Sequence, residues 1–204
     1  MMTYDDYIRA DLMAYRCIAA LNIDKLPIDP LMILSFCKNT AVHPYSELRK
    51  QLGMNRLAFR MEVMEGRDAC TATKILPDGR RIHEVFYNDE GNRFRERFTL
   101  GHELGHIILK HESGSQGEEQ LANRFSSQIL CPRPLVWHLR DHGVRVDADL
   151  LRNVFRVSYQ AGCVAAKKTE LYGDRHEEMV VRLLGDAVLA RAEKILREEK
   201  EMAV

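Results

Sequence analysis

Phe98-Thr99-Leu100-Gly101-His102-Glu103-Leu104-Gly105-His106-Ile107-Ile108 is the stretch around which the chain is organised, because His102, Glu103 and His106 spell H-E-x-x-H. On a helix each residue turns about 100°, so His102 and His106 lie one turn apart and about 40° round from each other. Both imidazoles can then meet one metal ion. Glu103 falls about 100° from His102, within reach of a water on that ion without having to ligate it. Leu100, Leu104, Ile107 and Ile108 take the opposite side. One face is left for a metal and one for a core, which predicts a buried helix.

A catalytic site of this kind needs a third protein ligand. His111, Glu118 and Glu119 offer one. The extended pattern H-E-x-x-H-x-x-G-x-x-H requires Gly and His where Leu109 and Glu112 stand, so His111 is expected near a helix C-terminus, where a cation is welcome. Of the two acids that open the next helix, Glu119 is preferred. Asn123 follows it by one turn on the same face, and the small Ala122 between them lets two helices approach. Asn123 can also hydrogen-bond a ligand imidazole and fix its tautomer. Glu118 is expected to face solvent. The expected centre is one Zn²⁺ held by His102, His106 and Glu119, with Glu103 as catalytic base and Asn123 behind the ligands. Tyr159, His138 and His176 are candidates to stabilise an oxyanion.

The rest of the sequence sets bounds. The chain has 204 residues, 46% hydrophobic, with zero formal net charge. That suits one domain with a real core and gives no general pull toward nucleic acid or anionic membranes, so direct nucleic-acid binding is not expected. Five cysteines occur without a C-x-x-C pair, as expected of reduced thiols in the cytosol. Met1-Met2-Thr3-Tyr4-Asp5-Asp6 lacks a basic and an apolar region, and no stretch approaches twenty apolar residues. Neither a signal peptide nor a membrane span is expected.

Helical spacing runs over residues 3–21, with Thr3, Asp5 and Asp6 at its start. Asp29-Pro30 reads as a cap and first-turn proline of a short helix reaching Cys37. Residues 44–65 suggest further helix broken at Gly53, with Leu57, Met61 and Met64 as an apolar stripe expected to fill the core. Pro77-Asp78-Gly79 between two β-prone runs predicts a hairpin. Its second strand, just ahead of the metal-site helix, is expected to take substrate as an added strand. Arg93, Arg95 and Arg97 are expected to be a solvated helix start. Helices are expected over 118–130, 135–141, 147–157, 159–171 (capped by Ser158) and, amphipathic and charged, 177–201. The last either packs or oligomerises.

Arg97-Phe98-Thr99-Leu100-Gly101-His102-Glu103-Leu104-Gly105-His106, then Glu119-x-x-Ala122-Asn123-x-Phe125, Leu130-Cys131-Pro132, and Val157-Ser158 ahead of a helix, together resemble the ImmA/IrrE metallopeptidase family. That family often has Ala where Gly101 stands, Met at Cys131, and Arg-Leu at Ala165-Ala166. None of these is a ligand, so the departures bear on substrate rather than on chemistry. The resemblance implies a gluzincin-like fold and a cytoplasmic bacterial or mobile-element enzyme. It further implies a zinc endopeptidase that cleaves a helix-turn-helix repressor to relieve repression of phage, mobile-element or stress genes. A metal-binding regulator that holds a repressor without cutting it is the alternative. The expected fold class is α+β: a mostly helical zincin-like domain over 1–174, with a small antiparallel sheet before the H-E-x-x-H helix. A C-terminal amphipathic helix follows in 175–204.

Overall fold

Residues 3–168 and 171–202 are described in a computed structural model of the chain. Helix α1 (Tyr4–Ala20) begins at Thr3, whose hydroxyl forms a capping box with Asp6. Asp29 caps α2 (Pro30–Phe36), with the proline at its first position. Strand β1 (Thr40–Pro44) and helices α3 (Tyr45–Gln51) and α4 (Arg56–Ala58) follow, and α4 runs into a π-helical turn, Phe59–Val63. The hairpin is β2 (Ala69–Ile75) and β3 (Arg81–Tyr87). Then come α5 (Arg93–Leu109), α6 (Gln116–Leu130), α7 (Arg133–Asp141), α8 (Ala148–Phe155), α9 (Tyr159–Lys167) and α10 (Arg175–Met202). The fold is α+β and mostly helical, as the sequence predicts. The expected reach of α9 over Thr169 and Glu170 lies outside the described residues. No described helix is long and apolar enough to cross a membrane.

The sheet is mixed, in the order β1-β3-β2. The hairpin pairs antiparallel as expected, and β1 adds a strand parallel to β3, with Val42 opposite Val85. Thr40-Ala41-Val42-His43-Pro44 is short, uniformly half-buried and closed by proline, so it carries no alternating pattern to announce a strand. This third strand corrects one expectation. Strand β3 is central and paired on both sides, so it has no edge to offer a substrate. The edge on the hairpin side belongs to β2.

Residues 44–65 also differ from expectation. Leu57 and Met61 are 71% and 58% exposed, while Phe59 and Met64 are buried. The i→i+5 bonds of a π turn widen the helix, so α-helical spacing no longer tells which side faces inward. Tyr45, Phe59 and Met64 instead form a small core of their own against Cys70 and Phe86 of the hairpin.

The main core is built on α5 and α6. Leu100, Leu104, Phe125 and Ile129 are buried together with Ala14, Tyr15 and Ile18 of α1. Val180, Leu184, Val188 and Ala192 of α10 lie in the same cluster. Arg97 is no solvated residue: its Nη2 donates to the carbonyls of Ile28 at 2.8 Å and Phe155 at 3.3 Å. It bolts the start of α5 to the loop before α2 and the end of α8. A second bolt is fully buried Asp11, whose carboxylate accepts from Arg124 at 2.7 and 2.6 Å, Arg133 at 3.1 Å and the Tyr172 hydroxyl at 2.7 Å. A carboxylate out of water needs partners of this kind.

Two glycines set how closely α5 and α6 approach. A Cβ on Gly105 would lie 3.1 Å from Ala122 Cα. One on Gly101 would lie 2.6 Å from Ser126 Oγ, which itself donates to the Phe98 carbonyl at 2.7 Å. Replacing Gly105 by Val is expected to cost about 1–3 kcal/mol in urea unfolding, from overpacking against backbone. Asp11→Ala removes the acceptor shared by two guanidinium groups, and about 3–5 kcal/mol of lost stability is expected in the same measurement.

Candidate metal centre

The two helices are each set by their caps. Asn92 accepts from the backbone N–H of Phe94 and Arg95 and starts α5. Lys110, left-handed at φ 59°, ends it and turns the chain back toward α6. Ser115 starts α6 in a capping box with Glu118. Glu118 also accepts from the backbone N–H of Glu112 at 3.2 Å and Ser113 at 3.0 Å. Its partial burial pushes its pKa up, but these hydrogen bonds outweigh that and hold it down at about 2. Glu118 is therefore half-buried beneath the loop rather than facing solvent. It serves the turn and leaves Glu119, the next residue, to point at α5.

Glu119 meets both histidines. One of its carboxylate oxygens stands 3.2 Å from His102 Nε2 and the other 3.3 Å from His106 Nε2. The two Nε2 atoms are 2.9 Å apart. Asn123 Oδ1 lies 2.9 Å from His102 Nδ1. An amide oxygen can only accept, so Nδ1 carries the hydrogen and Nε2 presents its lone pair. His106 Nδ1 is engaged 3.0 Å from His111 Nδ1. When it donates there, His106 Nε2 is bare as well. Burial pushes the His106 pKa down to about 4, with the neighbouring His102 adding to the effect, so its imidazole is neutral at pH 7.

Two imidazole lone pairs and a carboxylate thus converge on one point, an arrangement that a cation stabilises. Tetrahedral zinc ligands at about 2.0–2.1 Å from the metal stand about 3.3 Å from one another, and the three separations here, 2.9, 3.2 and 3.3 Å, lie at or a little below that value. The donor set fits zinc. It does not fit calcium, which takes six to eight oxygens.

Glu103 is buried beside this group. Thr71 on β2 donates its hydroxyl to a Glu103 carboxylate oxygen at 2.6 Å. Burial raises the pKa of Glu103, while the Thr71 bond and His102 pull it down. Sequence reasoning missed Thr71, whose link to Glu103 exists only through the tertiary placement of the hairpin on α5. It also misjudged His111. Instead of a cation at the helix end, His111 folds back onto His106, and burial lowers its pKa. The left-handed Lys110 that makes this possible leaves no mark in the residue pattern.

A cleft of about 970 Å³ opens beside His102 and Glu103, between the start of α5, the end of α6 and α9. Tyr159, His138 and His176 do not line it. Tyr159 is 54% exposed, and His176 pairs with Asp174 at the start of α10. His138, on α7, packs beside His142 and against Gly185.

With Thr71 changed to Val, Glu103 loses its donor and its titration midpoint is expected to rise further. Its carboxyl carbon resonance, followed against pH in metal-free protein, reports this, and Thr71→Ser should restore the original midpoint.

No curated protein matches the chain. The family model described as an IrrE N-terminal-like domain, peptidase family M78, matches residues 49–167. Those residues hold α5, α6 and the hairpin. The match covers more than half of the chain, and the chain belongs to this metallopeptidase family.

Proposed function

We propose that the chain is a zinc-dependent endopeptidase. His102, His106 and Glu119 hold one Zn²⁺, and Glu103 is the general base. The observation that carries this reading is the convergence of three lone-pair donors beside a buried carboxylate held by an edge-strand hydroxyl. Zinc bound there supplies Lewis acidity, making a water acidic enough to ionise near pH ~7 and polarising the scissile carbonyl.

The chain's own residues do the rest. Glu103 accepts the proton of the attacking water and delivers it to the leaving amine. Thr71 keeps its carboxylate oriented through that transfer. Asn123 and His111 hold the two imidazoles in the tautomers that leave Nε2 free. Strand β2 binds the substrate backbone. The Asn88 and Leu76 N–H groups donate to Asp68 and Arg80 carbonyls at the two ends of the hairpin, so the even-numbered residues of β2 face β3. In an antiparallel ladder the intervening residues Ala69, Thr71 and Thr73 then turn their N–H and C=O outward. An extended peptide added along this edge passes beside Glu103, because Thr71 touches both.

The substrate in this proposal is a helix-turn-helix repressor in the cytoplasm, a reading that rests on the family resemblance. A free strand edge suits an exposed, extendable segment of such a protein. The zero net charge supports no direct contact with nucleic acid.

Glu103→Gln is expected to keep about one zinc per chain by elemental analysis and to lose at least ~10²-fold in peptide hydrolysis. Glu119→Ala is expected to lose the zinc. Full relief of repression in cells by Glu103→Gln would sink the protease reading in favour of a metal-binding regulator. Zinc retained by Glu119→Ala would remove Glu119 from the ligand set.

A further inference from the structure

We propose that the cleft beside His102 and Glu103 is a side-chain subsite that selects a bulky apolar residue, Leu, Met or Phe, flanking the scissile bond. This deepens the peptidase reading and rests on it. The location is set by His102 and Glu103 themselves, which form one wall. A side chain seated there belongs to a residue next to the bond being cut.

Much of the remaining wall is apolar. Phe98 from α5, Leu130 from the end of α6, Val157 ahead of α9, and Ala161 and Ala165 on α9 line the space. Buried Cys131 also lines it, and burial pushes its thiol up to about 12, so it stays neutral and behaves as a small hydrophobe. At the rim Arg95 and Asp68 are paired with each other, and Lys168 also lines the cleft. A charged side chain seated against Phe98, Leu130, Val157, Ala161 and Ala165 would give up water to an apolar surface.

Size and rigidity agree. About 970 Å³ is at the upper end of the roughly 300–1,000 Å³ typical of ligand clefts, enough for a leucine or phenylalanine side chain and the adjoining peptide. Ala161 and Ala165 are one helical turn apart and share a face, and their short side chains create much of the room. Between them Gly162 seats α9 on α8: a Cβ there would lie 2.6 Å from the Ala148 carbonyl oxygen. The wall is therefore held at a fixed distance.

Digestion of an equimolar random dodecapeptide mixture by the zinc-loaded full chain, with sequencing of the new ends, tests this. One of the two positions flanking the cut is expected to be enriched about 10–100-fold in Leu, Met and Phe over Asp and Gly. Ala165→Arg should move that preference to Asp and Glu, and Ala161→Trp should move it to Gly, Ala and Ser. Cutting with no apolar preference at either position overturns the subsite and leaves the peptidase reading standing. So does a profile that neither variant changes. No cutting by the zinc-loaded wild type overturns the peptidase reading, and the subsite falls with it. A readout free of turnover is the amide spectrum of Glu103→Gln titrated with N-acetyl-phenylalaninamide and N-acetyl-aspartamide. Shifts at Phe98, Ala161 and Ala165 are expected with the first only; shifts with both, or with neither, overturn the proposal.

Discussion

The structure depends on one contact, the close approach of α5 and α6. Gly101 and Gly105 lie on the α5 face that meets α6, and the backbone at Ala122 and the side chain of Ser126 occupy the space that two Cβ atoms would take. Three donors can meet one ion only if the two helices are this near, because Glu119 rides on α6 while both histidines ride on α5. Leu100 and Leu104 on one side, with Phe125 and Ile129 across from them, supply the apolar burial that holds the pair together. The interior packing and the polar site are therefore two faces of the same interface.

Around that contact lies a layer of residues that act on orientation. Asn123, His111 and Thr71 each hold one group of the centre by a hydrogen bond, and each comes from a different element. The caps are as important. Glu118 is tied into the loop between the helices by several donors, which separates the roles of two adjacent acids that composition alone would treat alike. Arg97 and Asp11 fix the two helices from outside, against the loop before α2 and against α8, α1 and α7.

Much of this was legible in the sequence wherever the signal was local. Helical spacing, the Asp29-Pro30 and Ser158 starts, and the Pro77-Asp78-Gly79 turn all depend on residues close in the chain. The spacing of Glu119 to Asn123, with Ala122 between, carried the choice of third ligand to a residue that stands beside both histidines. What could not be read depends on contacts distant in the chain. Strand β1 has no pattern of its own and exists through its pairing with β3. That pairing moved the free edge from β3 to β2. The π turn after α4 broke the spacing rule by which Met61 was assigned to the core and left it in solvent. Thr71 and Arg97 found partners 32 and 69 residues away, respectively, which no window of periodicity can show.

The Gly101 and Ser126 contact has a historical consequence. An alanine at position 101 would meet the Ser126 hydroxyl. The two positions are thus not free to drift separately. A lineage passing between alanine and glycine at 101 must change position 126, or turn its hydroxyl away from the Phe98 carbonyl, before the methyl group arrives. The order of substitutions is constrained by the same narrow gap, so the residues at 101 and 126 should change together.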